Sequence, residues 1–152
     1  MRIVSGGQTG VDRAALDVAL KYGIECGGWC PAGRLDEFGK IPERYPVREL
    51  EQGSFAGRTL RNVKDSDGTV IIYNEELRGG TEFTLECCKE LKRSHVFIDA
   101  TELSPEAAAR TIGGFVRDHG IEILNVAGPR QSEWPDGYDY TFQVLEMWSR
   151  TL

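Results

Sequence analysis

The chain has 152 residues, 40% of them hydrophobic, which is enough for one domain over 1–152 with a single core. Its 24 acidic and 18 basic side chains leave a formal charge of −6. That balance argues against a nucleic-acid partner, which would meet a basic face, but not against a small anion held by a few arginines and backbone amides. No apolar run approaches the roughly 18 residues of a membrane span, and Met1-Arg2 leads into Ile3-Val4 without a signal-peptide core, so a cytoplasmic protein with no membrane partner is expected.

Arg2 to Val4 reads as a first strand. Val11, Ala14, Ala15, Val18 and Ala19 recur at helical spacing, predicting a helix over 11–22. Ile24 to Trp29 reads as a second strand, the Pro- and Gly-rich stretch from Cys30 to Pro46 as an extended loop, and Arg48 to Leu50 as a short edge strand or a turn. Ser54 is placed to cap a helix to Lys64 that carries Phe55, Leu60 and Val63 toward the core. Thr69 to Tyr73 is apolar on both faces, as a central parallel strand requires. A helix follows Gly79-Gly80-Thr81 to about Arg93, then a strand at Val96 to Ile98. Ser104-Pro105 opens a helix that Gly120 ends. Ile121 to Val126 makes the last strand, and a helix runs from about Asp139 to Arg150. Strand–helix alternation over the whole length predicts a three-layer, doubly wound α/β parallel sheet with helices on both faces.

The four cysteines (Cys26, Cys30, Cys87, Cys88) form neither a C-x-x-C pair nor a zinc set, and His95 and His119 stand far apart. No protein-ligated metal is expected, and the thiols read as reduced core residues.

Glycine is the departure in composition, with 18 in the chain against a usual share of about 7%. Three glycine loops follow strands: Gly6, Gly7, Gln8, Thr9 and Gly10; Gly79, Gly80 and Thr81 on to Thr84; and Ala127, Gly128, Pro129 and Arg130. In an open parallel sheet such loops share the carboxyl edge, and a strand order of 3-2-1-4-5 would put the first two side by side. Two of them open helices, whose free N–H groups suit a phosphate. Each glycine set also has a purely steric reading, as a tight strand-to-helix turn.

Gly10 is followed by Val11-Asp12, so the lysine of a Walker A loop is missing. The spacing of Gly6, Gly7 and Gly10, with no acidic residue ending the second strand, disfavours a nicotinamide dinucleotide. Asp12 reads either as a ligand carboxylate or as a first-turn charge on the helix dipole. Arg34, Arg58 and Arg130 are candidate phosphate arginines, Arg130 foremost because it follows Gly128-Pro129 at the end of a strand. Trp148 and Phe142 read as core or interface residues, whereas Trp134, in a loop, is open to ligand stacking.

Ser5 to Asp17, Gly28 to Pro31 with Gly33-Arg34, Arg58-Thr59 with Asn62-Val63, Asp65 to Gly68, Gly79 to Thr81, and Asn125 to Arg130 together resemble the molybdenum carrier family, over nearly the full chain. The resemblance implies a Rossmann-like homo-oligomer, a dimer or tetramer, that binds molybdenum cofactor as cargo. The cofactor's phosphate would lie at the helix N-termini, and its own sulfurs would ligate molybdenum. It also implies kinship in fold with lysine-decarboxylase-like phosphoribohydrolases, whose P-G-G-x-G-T-x-x-E motif survives in part: Gly79-Gly80 align, Glu86 falls on the glutamate, and Arg78 and Glu82-Phe83 depart from it. The expected function is noncatalytic carriage of a phosphorylated small molecule. The alternatives are a nucleoside-monophosphate phosphoribohydrolase using Glu86 and a nucleotide-sensing module.

Overall fold

A computed structural model describes all 152 residues. The chain begins β1 (Arg2–Val4), α1 (Val11–Tyr22) and β2 (Glu25–Gly27), then makes an excursion through four two-residue strands: β3 (Trp29–Cys30), β4 (Leu35–Asp36), β5 (Gly39–Lys40) and β6 (Arg48–Glu49). It continues through α2 (Phe55–Lys64), β7 (Gly68–Tyr73), α3 (Gly79–Glu90), β8 (Ser94–Asp99), α4 (Pro105–His119), β9 (Ile123–Ala127) and α5 (Gly137–Ser149). Serine oxygens cap α2 and α4, Ser54 accepting from Gly57 N–H and Ser104 from Ala107 N–H.

Five strands form one parallel sheet in the order β2-β1-β9-β7-β8. Ile3 lies between Cys26 and Leu124, and Val70 between Val96 and Val126. Helix α5 packs against α1 and α4 on one face, and α2 packs with α3 on the other, giving the three-layer Rossmann-like arrangement with helices on both faces. The main core lies under α1, α4 and α5, around Ile72, Ile112, Leu124, Val126 and Trp148. Under α2 and α3 a smaller cluster joins Val63, Cys87 and Cys88. All four cysteines are free, and Cys26 alone is not fully buried.

The expected adjacency of β1 and β7 is corrected: β9, last in the chain, lies between them. Counted from β9 as first, with β1 second, β2 third, β7 fourth and β8 fifth, the sheet does read 3-2-1-4-5. The three glycine loops therefore still meet, with the third in the middle.

The second predicted strand is broken at Gly28. β2 stays in the main sheet, while β3 leaves it to pair in parallel with β6, which settles the Arg48 segment as a strand. The stretch expected to be an open loop encloses its own core of Leu16, Cys30, Ile41, Tyr45 and Val47, with β4 and β5 forming a hairpin at its tip. Helix α3 stops at Glu90, short of Arg93. Of the residues α2 was expected to bury, only Val63 is buried: Leu60 is 40% exposed because the helix lays Thr59, Asn62 and Val63 inward, and Phe55, the first residue of the helix, is 44% exposed at its open end. Trp134 is 7% exposed and belongs to the main core, its ring 5.7 Å from that of Tyr140, so it is not open to ligand stacking. Trp148 is core and Phe142 packs at its edge.

Candidate functional site

The loop from Ser5 to Gly10 carries β1 into α1. Ser5 Oγ donates to the Asp12 carbonyl (3.0 Å) and accepts from Gly7 N–H (3.3 Å), so the turn is tied across its own base. Gly10 has φ +78°, and a Cβ there would stand 2.7 Å from the Pro129 carbonyl oxygen, which also accepts from Val11 N–H at 3.3 Å. Only glycine lets the first and third loops touch in this way.

Asp12 is 2% exposed in the first turn of α1. Its Oδ2 accepts from Gln8 N–H (3.2 Å) and from Arg58 Nη1 (3.2 Å), an arginine delivered by α2 from the opposite layer. Burial pushes the carboxyl above its ordinary range, and Arg58, the Gln8 N–H and Arg13 pull against that. The Arg58 guanidinium lies over Gly6, and its Nε is buried without a protein partner. Asp12 is therefore more than a helix-dipole charge: it positions Arg58.

The second loop opens α3. Thr81 N–H and Glu82 N–H both donate to the Arg78 carbonyl (3.0 and 3.2 Å), and no side chain caps the helix. The N–H groups of Gly79 and Gly80 are left as free donors at the positive end of the helix dipole. No heavy atom lies within 4 Å of where a Gly80 Cβ would be, and Glu133 Oε2 alone, at 3.8 Å, approaches that of Gly79, so the start of the helix is uncrowded. Thr81 and Thr84 are buried on the inner side of the helix, and Thr84 Oγ1 donates to the Gly80 carbonyl (3.0 Å).

The third loop supplies Ala127, Gly128 and Arg130, and a turn later Glu133. Arg130 Nε lies 3.0 Å from Glu133 Oε1 and 3.9 Å from Glu37 Oε1, so its charge is matched by two carboxylates.

These pieces enclose one cleft of about 320 Å³. Gln8 and Asp12 come to it from the first loop, Arg58 and Thr59 from α2, Gly79, Gly80, Thr81 and Thr84 from α3, and Gly128 and Arg130 from the third loop. The cleft lies at the carboxyl edge where β9 sends its helix to one face and β7 sends its helix to the other, a topological switch point. Its side-chain charges cancel, Arg58 and Arg130 against Asp12 and Glu133, so its capacity for an anion rests on the free backbone donors and the α3 dipole.

Other sequence candidates are placed elsewhere. Gly6 lies behind the cleft under Arg58, Gly7 packs against Ile41 and Val47 of the excursion, and Gly10 and Pro129 shape the loop junction. Thr9 turns away: its hydroxyl donates to Glu37 and accepts from Gln131 N–H (3.1 Å). Arg34 is not brought to the cleft, because its guanidinium is spent on the carbonyls of Val47 (2.7 Å), Pro42 (2.9 Å) and Tyr45 (3.1 Å), closing the excursion. Glu86 is exposed on α3 and does not line the cleft, since the residues of that helix facing inward are Thr81, Thr84, Cys87 and Cys88.

Five lining residues were not among the site candidates of the sequence: Phe55, Ala56, Thr59, Phe83 and Glu133. Thr59 was within reach, because it neighbours Arg58 and lies one helical turn after Phe55. The supporting role of Glu37 was hidden as well. Its carboxylate accepts from Thr9 and from Ser132 N–H (3.2 Å), its backbone N–H donates to Gln8 Oε1 (2.9 Å), and it thereby ties the hairpin tip to both loops. With that oxygen occupied, what Gln8 offers the cleft is its NH₂ group.

The sequence profile of the family described as "Circularly permutated YpsA SLOG family" matches residues 3–148. The chain belongs to this circularly permutated YpsA SLOG family. The strand order agrees with a circular permutation, since the doubly wound order 3-2-1-4-5 returns when the count begins at β9. The structure is also similar to a crystal structure from Syntrophus aciditrophicus SB described as a "Putative molybdenum carrier protein". The TM-score is 0.95 at 44% identity, covering 97% of this chain and 93% of that one. No curated protein matches the chain. No helix is long and apolar enough to cross a membrane.

Proposed function

We propose that the cleft holds a phosphorylated small molecule, molybdenum cofactor first among the candidates, and that the protein binds and carries this cargo without transforming it. The observation that carries the reading is the uncapped, sterically open N-terminus of α3 at Gly79-Gly80, set in the same cleft as Arg58 and Arg130. A phosphate there accepts the two free N–H bonds and draws Arg130 from its carboxylate partners, with Thr81 and Thr84 walling the base of the site.

Molybdenum cofactor suits this donor set because its dithiolene sulfurs ligate its own metal, leaving the protein to recognise the phosphate and the pterin. The likeness to a protein bearing the carrier name supports that choice of cargo. The alternative of nucleotide hydrolysis through Glu86 gains no support from its exposed position. We further assign the protein to the cytoplasm as a homo-oligomer, a dimer or tetramer.

The test is retention of molybdenum cofactor through gel filtration, scored by molybdenum content and by pterin fluorescence after oxidation. Gly80→Glu is the control, because the space around Gly80 admits the side chain without disturbing the fold. The expected result is a fixed molar ratio in the wild type and none in the variant. Equal molybdenum and pterin in both, or none in either, would overturn the reading.

A further inference from the structure

The cleft has an apolar side that phosphate binding leaves unused. Phe55 is the first residue of α2 and is 44% exposed. It belongs to none of the three apolar clusters, and its ring has one charged neighbour, the Arg58 guanidinium 5.9 Å from its centroid. Phe83, one turn into α3, packs its buried part on the Val63, Cys87 and Cys88 cluster and lines the cleft with the remainder. The helices α2 and α3 pack against each other, and Phe55 and Ala56 from the first and Phe83 from the second are apolar residues lining the same cleft. The free N–H donors lie at the start of α3, and Arg130 comes from the third loop.

An exposed phenylalanine that heads an amphipathic helix yet joins no core keeps apolar area in water until something flat covers it. The Arg58 guanidinium, held in place by Asp12, borders the same ring and stacks on flat rings as readily.

We propose that the ligand is a phosphate monoester of a planar aromatic heterocycle rather than a bare sugar phosphate, and that Phe55 is the stacking residue that selects for the ring. This rests on the phosphate reading above and adds a second compartment to it. Stacking on an aromatic side chain is worth about a ten- to hundredfold gain in affinity per ring.

The experiment is calorimetric titration of the wild type and of Phe55→Ala and Phe55→Tyr with three probes. These are ribose 5-phosphate, guanosine, and guanosine 5′-monophosphate, whose ring carries the same 2-amino-4-oxo edge as a pterin. The readout is the ratio of affinities for the nucleotide and the sugar phosphate. Expected is a ratio of about ten or more in the wild type, a collapse toward one in Phe55→Ala, and recovery in Phe55→Tyr. Circular dichroism verifies that the variants are folded, as the exposure of Phe55 leads one to expect.

A wild-type ratio near one, or an Ala variant that keeps the wild-type ratio, overturns the ring proposal while leaving phosphate binding intact. An Ala variant that changes oligomeric state and keeps the ratio also overturns it, by making Phe55 an interface residue. Guanosine binding as tightly as its monophosphate, with no binding of ribose 5-phosphate, removes the phosphate reading and keeps the ring. Absence of binding by all three probes overturns both.

Discussion

The Arg58 guanidinium lies so close over Gly6 that a Cβ at that glycine would come within 1.8 Å of Nη1, the same nitrogen that reaches Asp12 at 3.2 Å. The glycine of the first loop is thus a seat for an arginine from the opposite layer. Gly6→Ala should drive Arg58 off Asp12 and leave a buried carboxylate without its cation, a loss of about 3–5 kcal/mol if the charge stays buried. Protonation relieves part of that cost. A carboxyl raised in the fold binds more protons folded than unfolded, so its destabilising effect grows as pH rises from the ordinary carboxylate range through the raised value. Removing Arg58 raises the carboxyl further and widens the window. Urea denaturation of wild type and Gly6→Ala should therefore show a larger gap at about pH 7.5 than at about pH 5. A constant gap contradicts this account of Asp12.

Glu133 stands beside the start of α3, where we propose that phosphate binds, holding Arg130 at 3.0 Å and lying 3.8 Å from the Cβ position of Gly79. An incoming anion has to take over both the arginine and the helix terminus. Glu133→Gln should raise the affinity for ribose 5-phosphate by about two- to fivefold at low salt, with the gain shrinking as ionic strength rises. Calorimetry at two salt concentrations checks it, and a weaker or unchanged affinity would count against the placement of the phosphate.

Glu37 fastens the hairpin tip to the two loops, through Thr9 on one side and Ser132 on the other. Burial works to raise its carboxyl, but the Ser132 and Thr9 hydrogen bonds prevail and hold it below the ordinary range. A carboxyl lowered in the fold contributes stability that is fully present above its unfolded value of about 4.3 and is lost as pH falls through the lowered value. The difference in melting temperature between wild type and Glu37→Gln should be largest near neutrality and close up in acid. A difference that persists unchanged below about pH 3 would contradict the clamp.

Asp17 joins the excursion to the last helix by accepting from Tyr45 Oη at 2.7 Å and from Tyr138 Oη at 2.5 Å. Burial first, and the bond to Asp17 second, raise the Tyr138 hydroxyl above its ordinary value. Tyr138→Phe should cost about 1–2 kcal/mol, the upper part of that range reflecting a charged acceptor. Ligand affinity should stay the same, since Tyr138 lies outside the cleft. Denaturant midpoints and one binding titration together check both halves of the statement.

The parallel sheet was legible because its evidence is local. The run Thr69 to Tyr73 and the cap at Ser104-Pro105 act within a few residues and say the same thing as the helical spacing of Val11 to Ala19. Strand order was not legible, because nothing within Ile123–Ala127 distinguishes a central strand from an edge strand. Its place is set by which helix faces are left to bury. Phe55 was misread as core because it shares a helix face with Thr59 and Val63, but as the first residue of α2 it lies at the cleft and not over the core. Arg34 was read as a phosphate ligand because its partners are backbone carbonyls, which carry no sequence signature. The glycines of α3 were singled out because a donor-rich loop at the end of a buried strand is itself a chemical signal, and they do line the cleft, as does Arg58, which was named from its residue type alone.

The most direct test of the phosphate site is an amide chemical-shift titration with ribose 5-phosphate on uniformly ¹⁵N-labelled protein. The account predicts saturable shifts largest at the backbone amides of Gly79 and Gly80, with smaller ones at Gly128 and Arg130 and at the Arg58 side chain. Shifts that leave Gly79 and Gly80 unmoved, or a titration that never saturates, would contradict it.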